Sequence, residues 1–304
     1  MMMNAMIKRR VIAVIFLLGF FSYAQQSTDT TTVKEGWISE GAFTLLFNQS
    51  AFSNWQAGGE NSIGGNAGLN YSLNYLKGNW NWDNTLAISY GLTKTEGAGL
   101  RKTDDRFELN SLAGKKTSLY WRYSFFTEFR IQFTPGYHYE NDPGANFATS
   151  GPFRPAYLSF GPGMAWKKSK NLKCNLAPAT SKLTLLGGEI FTYDDDTGLF
   201  VSSNERTTFG VEPGKSLRYE LGFYASGYVK FKLMENVTVE NILNLYSNYL
   251  EDPQNIDINY QLNIAMKIND YLSANIAFQA MYDDNAFAGF QIREVSGLGI
   301  NYNF

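Results

Sequence analysis

From Leu119 to Phe133 every odd position except Thr127 is apolar (Leu119, Trp121, Tyr123, Phe125, Phe129, Ile131, Phe133), while the even positions include Arg122, Ser124, Glu128, Arg130 and Gln132. A period of two places alternate side chains on opposite faces of a strand, and helical spacing cannot produce it. The pattern returns in Ile256 to Asn269, where seven Ile, Tyr, Leu and Met positions oppose Asp257, Asn259, Gln261, Asn263, Ala265, Lys267 and Asn269. Ser216 to Leu233 alternates from Leu217 onward. From Ile292 to Phe304 the even positions read Ile, Glu, Ser, Leu, Ile, Tyr, Phe against odd Arg, Val, Gly, Gly, Asn, Asn. Less regular versions cover Trp37 to Phe47, Asn66 to Leu76, Trp80 to Thr93, Arg106 to Ala113, Ala156 to Lys167, Leu172 to Leu186, Val237 to Tyr249 and Leu272 to Tyr282. Together they predict about twelve strands. The weakest are Leu172 to Leu186, interrupted by Pro178, and Val237 to Tyr249, where Asn241 breaks the apolar face. Proline is tolerated in strands mainly at edges and bulges.

The expected connections alternate in length. Short turns fall at Lys77 to Asn79, Gly114 to Ser118, Lys168 to Asn171, Met234 to Asn236 and Asn269-Asp270. Longer links fall at Asn48 to Gly65, Lys94 to Asp105, Thr134 to Pro155, Gly187 to Lys215, Leu250 to Asn255 and Asp283 to Gln291. Outer-membrane barrels have short periplasmic turns and long outer loops, so this rhythm predicts an all-β, closed, antiparallel, up-and-down transmembrane β-barrel over residues 37–304. Trp80, Trp82, Trp121 and Trp166 all share the apolar face, each near a short turn, as an interfacial aromatic girdle requires. A soluble sandwich would instead bury its tryptophans between two sheets.

Composition fits that reading. The chain is 44% hydrophobic and 16% aromatic with a mean hydropathy of -0.26, and polar inward positions dilute the apolar outward ones in a barrel. Lys8, Arg9 and Arg10 precede the apolar run Val11 to Phe21, and Ser22-Tyr23-Ala24 offers a cleavage site, so residues 1–24 read as a signal peptide and 25–36 as a short periplasmic lead. The run is shorter than the roughly 20 apolar residues of a spanning helix. A net charge of -2 and a pI near 5.6 give no footprint for nucleic acid. Cys174, the single cysteine, shares a face with Leu172 and Leu176 and reads as inert.

The candidate chemistry lies on the inward face: Asp83, Arg106, Glu108, Arg122, Glu128, Arg130, Arg218, Glu220, Lys230, Lys232, Asp257 and Lys267. Mixed charges there either line a water path or pair into a plug. Twelve strands fall between the filled eight-stranded interior and the open sixteen-stranded channel. Neither a metal motif, a phosphate loop nor a dinucleotide fingerprint is present, and no cofactor is expected. Asp194, Asp196 and Glu205 approach calcium-loop spacing, but Leu199 stands where the sharp turn needs glycine, which favours a solvated loop. The acidic pairs Asp104-Asp105 and Asp283-Asp284 read the same way. The lone histidine, His138, has Glu140 and Asp142 near in sequence but no serine at close spacing, so no convincing catalytic constellation appears.

The segments Phe47 to Ser62 (FNQSAFSNWQAGGENS), Tyr90 to Lys94, Arg101 to Arg106 and Gln132 to Tyr137 together resemble an uncharacterised family of outer-membrane barrels of the Bacteroidetes phylum. The resemblance implies an outer-membrane location and carries no known active site. Within the first of these segments Asn54, Trp55, Gln56 and Glu60 are candidates to line the barrel mouth. The expected partners are outer-membrane lipid, the barrel-assembly machinery through the last strand ending at Phe304, and a small polar solute. The alternatives are a hydrolase at the outer rim using His138, or a structural or adhesive barrel with partner-binding loops.

Overall fold

The computed structural model describes residues 35–51, 60–269 and 271–304. The signal peptide, the lead up to residue 34, and Asn54, Trp55 and Gln56 lie outside the described residues. In chain order the strands are β1 (Gly36–Ser50), β2 (Ser62–Lys77), β3 (Trp80–Thr95), β4 (Gly99–Lys116), β5 (Trp121–Ile131), β6 (Gly136–Tyr137), β7 (Ala148–Ser150), β8 (Ala156–Ser169), β9 (Leu172–Leu185), β10 (Phe191–Asp194), β11 (Leu199–Ser202), β12 (Leu217–Met234), β13 (Val237–Asn248), β14 (Ile256–Lys267), β15 (Leu272–Asp283) and β16 (Phe287–Asn303). Twelve of them close into one antiparallel barrel in the order β1, β16, β15, β14, β13, β12, β9, β8, β5, β4, β3, β2. The hairpins β6–β7 and β10–β11 belong to the two longest links. No helix among the described residues is long and apolar enough to cross a membrane.

Each of the twelve predicted strands is present, but two predicted long links are not. β3 runs on to Thr95 and β4 starts at Gly99, which leaves residues 96–98 as the connection. β15 and β16 leave only 284–286. A ladder needs only backbone hydrogen bonds, so the hairpins continue past the end of the amphipathic pattern that marks them in sequence.

Pro178 does interrupt its strand, as a bulge. The β9–β12 register jumps between Gly222, opposite Thr180, and Tyr224, opposite Ala177, and the β8–β9 register jumps between Phe160 and Met164. The extra residue reverses the phase of the strand. Asn175 and Ala177 are buried inward before the break, and Thr180, Lys182 and Thr184 after it. Asn241 is resolved differently: its side-chain oxygen accepts a hydrogen bond from the Tyr260 hydroxyl at 2.8 Å on the outer face.

The outer face is aromatic and apolar. At the short-turn end Trp82 lies beside Trp37, ring centroids 5.8 Å apart, and Trp37 beside Tyr75 at 5.0 Å, while Trp80 and Trp121 are also exposed. The indole N–H of Trp82 donates to Ser111 at 2.7 Å, so the ring shows its apolar body outward and satisfies its polar tip. Closure runs through Gly41, whose N–H donates to the Phe304 carbonyl at 2.8 Å while its own carbonyl accepts the Phe304 N–H at 3.0 Å. The Phe304 ring lies over Gly41, filling the space a Cβ there would take, and stacks with Tyr302 and Tyr71.

Candidate functional site

Inward residues of opposite walls meet in the lumen. β4 and β14 stand six places apart in the ring of twelve, diametrically opposed, yet the Arg106 guanidinium donates to the Gln261 side-chain oxygen at 3.1 Å. Two extended side chains therefore span the full width there. Arg106 also lies 3.9 Å from Glu108, which is buried and accepts from Asn110 at 3.0 Å. From another direction Arg293 of β16 reaches Asp104 of β4 at 2.5 Å, and Asn66 donates to the same carboxylate at 2.8 Å.

Beside this crossing lies a small apolar cluster of inward residues: Phe126, Ala177, Tyr224 and Tyr246, with Leu112 against it. Phe126 and Tyr224 stack with centroids 4.4 Å apart and planes at 11°, joining β5 to β12. Tyr224 then donates to Glu128 at 3.1 Å.

Towards the long-loop end the lumen widens into a cavity of about 70 Å³ lined by Glu128, Arg130, Tyr157, Lys182, Tyr246, Asp257 and Asp283 among others. Lys182 is its hub. Its ammonium lies 2.8 Å from Asp257, 3.6 Å from Glu220 and 3.7 Å from Asp283, and sits 4.9 Å over the Tyr246 ring. Arg218 links Glu220 at 3.4 Å, Glu251 at 2.9 Å and Asn285 at 2.7 Å. The Arg130 guanidinium lies 4.6 Å over the Tyr157 ring. Buried charges of both signs persist only when each finds partners, and here most are shared.

The predicted residues thus divide. Arg106, Glu108, Glu128, Arg130, Arg218, Glu220 and Asp257 gather in the crossing and the vestibule. Asp83 lies nearer the short-turn end, paired with Lys167 at 2.5 Å across the interior. Arg122 donates to the Tyr120 carbonyl at that rim, and Lys230 is 4.0 Å from Glu240. Lys232 and Lys267 are exposed at the strand ends. Of the mouth-loop candidates, Glu60 is described and is exposed. The hub, Lys182, was missed because the odd–even rule fails across Pro178. The signal was present, since Leu172, Cys174 and Leu176 are even while Leu183 and Leu185 are odd, which announces a phase slip. Asp283, expected in a long link, is the last residue of β15.

His138 is exposed and stacks on Tyr193 of the neighbouring hairpin at 5.4 Å. Asp142, one of its two carboxylate partners in a hydrolase reading, is turned to its own loop, accepting the N–H of Phe147 at 2.6 Å and the side-chain amide of Asn146 at 3.0 Å. Asp194 likewise accepts the N–H groups of Asp196 and Thr197 and pairs with Arg206 at 3.0 Å, closing the β10–β11 turn. These bonds to the ionised form, the Thr197 amide first, hold the Asp194 carboxyl below its ordinary range.

Residues 47–137 match the family described as a protein of unknown function (DUF3078), and all four segments quoted from the sequence fall inside that span. No curated protein matches the chain. Among solved structures it is similar to the COG4313 outer membrane channel from Pseudomonas putida F1, with 8% identity, a TM-score of 0.38, and 92% of this chain and 99% of that one covered. It is also similar to the translocator domain of autotransporter NalP from Neisseria meningitidis, with 12% identity, a TM-score of 0.32, and 99% and 96% covered. The NanC porin follows at 9% identity, a TM-score of 0.34, and 86% and 97% covered.

Proposed function

We propose that the protein is an integral barrel of a bacterial outer membrane that holds a small polar solute in its long-loop vestibule and passes it when the contacts crossing the lumen separate. The apolar, aromatic outer face supports a lipid surrounding, and the short-turn end is then periplasmic. The observation that carries the reading is the lumen itself: a vestibule with Lys182 and Arg130 beside Asp257, Asp283 and Glu128, above a crossing made by Arg106–Gln261 and Phe126–Tyr224. Side chains of both signs a few ångströms apart suit a small solute bearing donors and acceptors, and they do so without a cofactor. The crossing explains retention, since the stacked Phe126–Tyr224 pair and the Arg106–Gln261 bond together narrow the lumen. Recognition of β16 by the barrel-assembly machinery belongs to the same proposal.

Planar bilayer recording tests it. Wild-type protein is expected to be mostly closed with brief openings, and the double variant Phe126→Ala, Tyr224→Ala to conduct steadily, because the stacked pair is the bulkiest element of the crossing. A wild-type barrel that conducts as a steady open pore, or a correctly folded double variant that never conducts, overturns the proposal.

A further inference from the structure

On β1, β2 and β3 the register groups the outward residues into rungs. Near the short turns the rung is Trp37, Tyr75 and Trp82. Three apolar rungs follow one another in the upper wall: Phe43, Leu69 and Ile88, then Leu45, Ala67 and Tyr90, then Phe47, Gly65 and Leu92. The next one turns polar, with Gln49, Ile63 and Lys94. Twelve residue steps of β1 separate Trp37 from Gln49. At about 3.4 Å per residue and a tilt of roughly 40° they climb about 31 Å, which crosses the apolar band of roughly 25 Å and reaches the opposite interface. Lys94 therefore stands where an outer-leaflet lipid places its headgroup.

Just below that rung the wall is sunken. A groove of about 300 Å³ opens there, lined on its outward side by Leu45, Phe47, Gly65, Ala67, Tyr90 and Leu92. It exists because β2 presents a hydrogen and a methyl between the larger side chains of β1 and β3. Packing does not demand glycine at this point, since a Cβ on Gly65 would meet nothing closer than the Leu46 carbonyl oxygen at 3.7 Å. Other charges around the groove are committed. Lys102 and Asp105, opposite Leu92 and Tyr90 on β4, pair with each other at 3.0 Å, and Glu96 in the turn beyond accepts from the Asn61 amide at 2.7 Å. Lys94 is exposed, and its ammonium has no ion-pair or hydrogen-bond partner among the described residues. A lysine so placed lays its methylene stem on the apolar wall and holds its charge at the interface.

We propose that this groove seats one acyl chain of an outer-leaflet lipid whose phosphate is held by Lys94. An apolar groove in a wall surrounded by lipid takes hydrocarbon, and an unpaired cation at its headgroup end favours a phosphorylated lipid over a neutral one. The site rests on the membrane location proposed above but not on passage of a solute, because the outer face of the wall takes no part in the crossing of the lumen.

Native mass spectrometry of the full folded chain released from detergent micelles tests it, with phosphatidic acid and diacylglycerol of identical acyl chains as the probes. Wild-type protein should retain one phosphatidic acid about fivefold more strongly than diacylglycerol, the factor expected of one lysine near an anionic headgroup. Lys94→Gln, an exposed position, should bring the two probes level, and Gly65→Leu, which fills the groove, should lower retention of both. Equal retention of the two probes by wild-type protein, a Lys94→Gln variant that keeps the preference, or undiminished retention by folded Gly65→Leu overturns the assignment. So does a wild-type dimer that Gly65→Leu dissociates, since a second copy would then be the occupant. The bilayer recording reads the lumen and this experiment the outer wall, so either proposal can fail while the other stands.

Discussion

Replacing Lys182 with Met keeps the length and apolar stem of the side chain but removes the ammonium around which the vestibule is organised. At 2.8, 3.6 and 3.7 Å from three carboxylates, and with an effective dielectric of about 20, its gross attraction amounts to roughly 15 kcal/mol. Desolvation of the ammonium and of carboxylates that are themselves mostly buried offsets most of that sum. What mutation exposes is the cost of leaving Asp257, Glu220 and Asp283 close together without their shared counterion, about 3–5 kcal/mol for a buried pair broken on one side. Urea unfolding of the folded barrel in detergent, followed by tryptophan fluorescence, measures it. The companion variant Lys182→Met, Asp257→Asn should recover part of the loss, because it removes the carboxylate nearest the missing charge. A loss below about 1 kcal/mol for Lys182→Met, or a double variant less stable than the single one, would refute the account of Lys182 as hub.

Two further outcomes follow from the closure and from the outer hairpins. Gly41→Leu should displace the Phe304 ring and cost about 1–2 kcal/mol in the same unfolding assay, with the penalty vanishing in a Phe304→Ala background, and equal penalties in both backgrounds would contradict the seating of that ring on Gly41. The Asp194 carboxyl is held below its ordinary range, so its contribution to the β10–β11 hairpin is complete above that range and is lost only as pH falls through the lowered folded-state value. Hydrogen exchange across residues 191–202 should therefore stay slow from neutral pH down past the usual aspartate range and quicken only in stronger acid. In Asp194→Asn it should be fast already at neutral pH, and protection unchanged by that substitution would count against the turn.

The alternation of side chains was enough to give the sheet, its strand number and its inside and outside, because a period of two is a local property that survives in any fold with one apolar face. Leu119 to Phe133 and Ile256 to Asn269 needed no neighbours to be read, and Glu128, Arg130 and Asp257 of their polar faces line the cavity. The extra residue at Pro178 defeated the rule for the rest of β9, since register is set jointly by β8 and β12 and not by the strand itself, and so Lys182 escaped notice. Where the hairpins end was also beyond the pattern, because backbone pairing continues after amphipathicity stops. Which charges meet was decided by closure alone. Arg106 and Gln261, Lys182 and Asp283, Arg293 and Asp104 are far apart in sequence and come together only because the sheet curls until its first strand hydrogen-bonds to its last, bringing opposite walls within reach of two side chains.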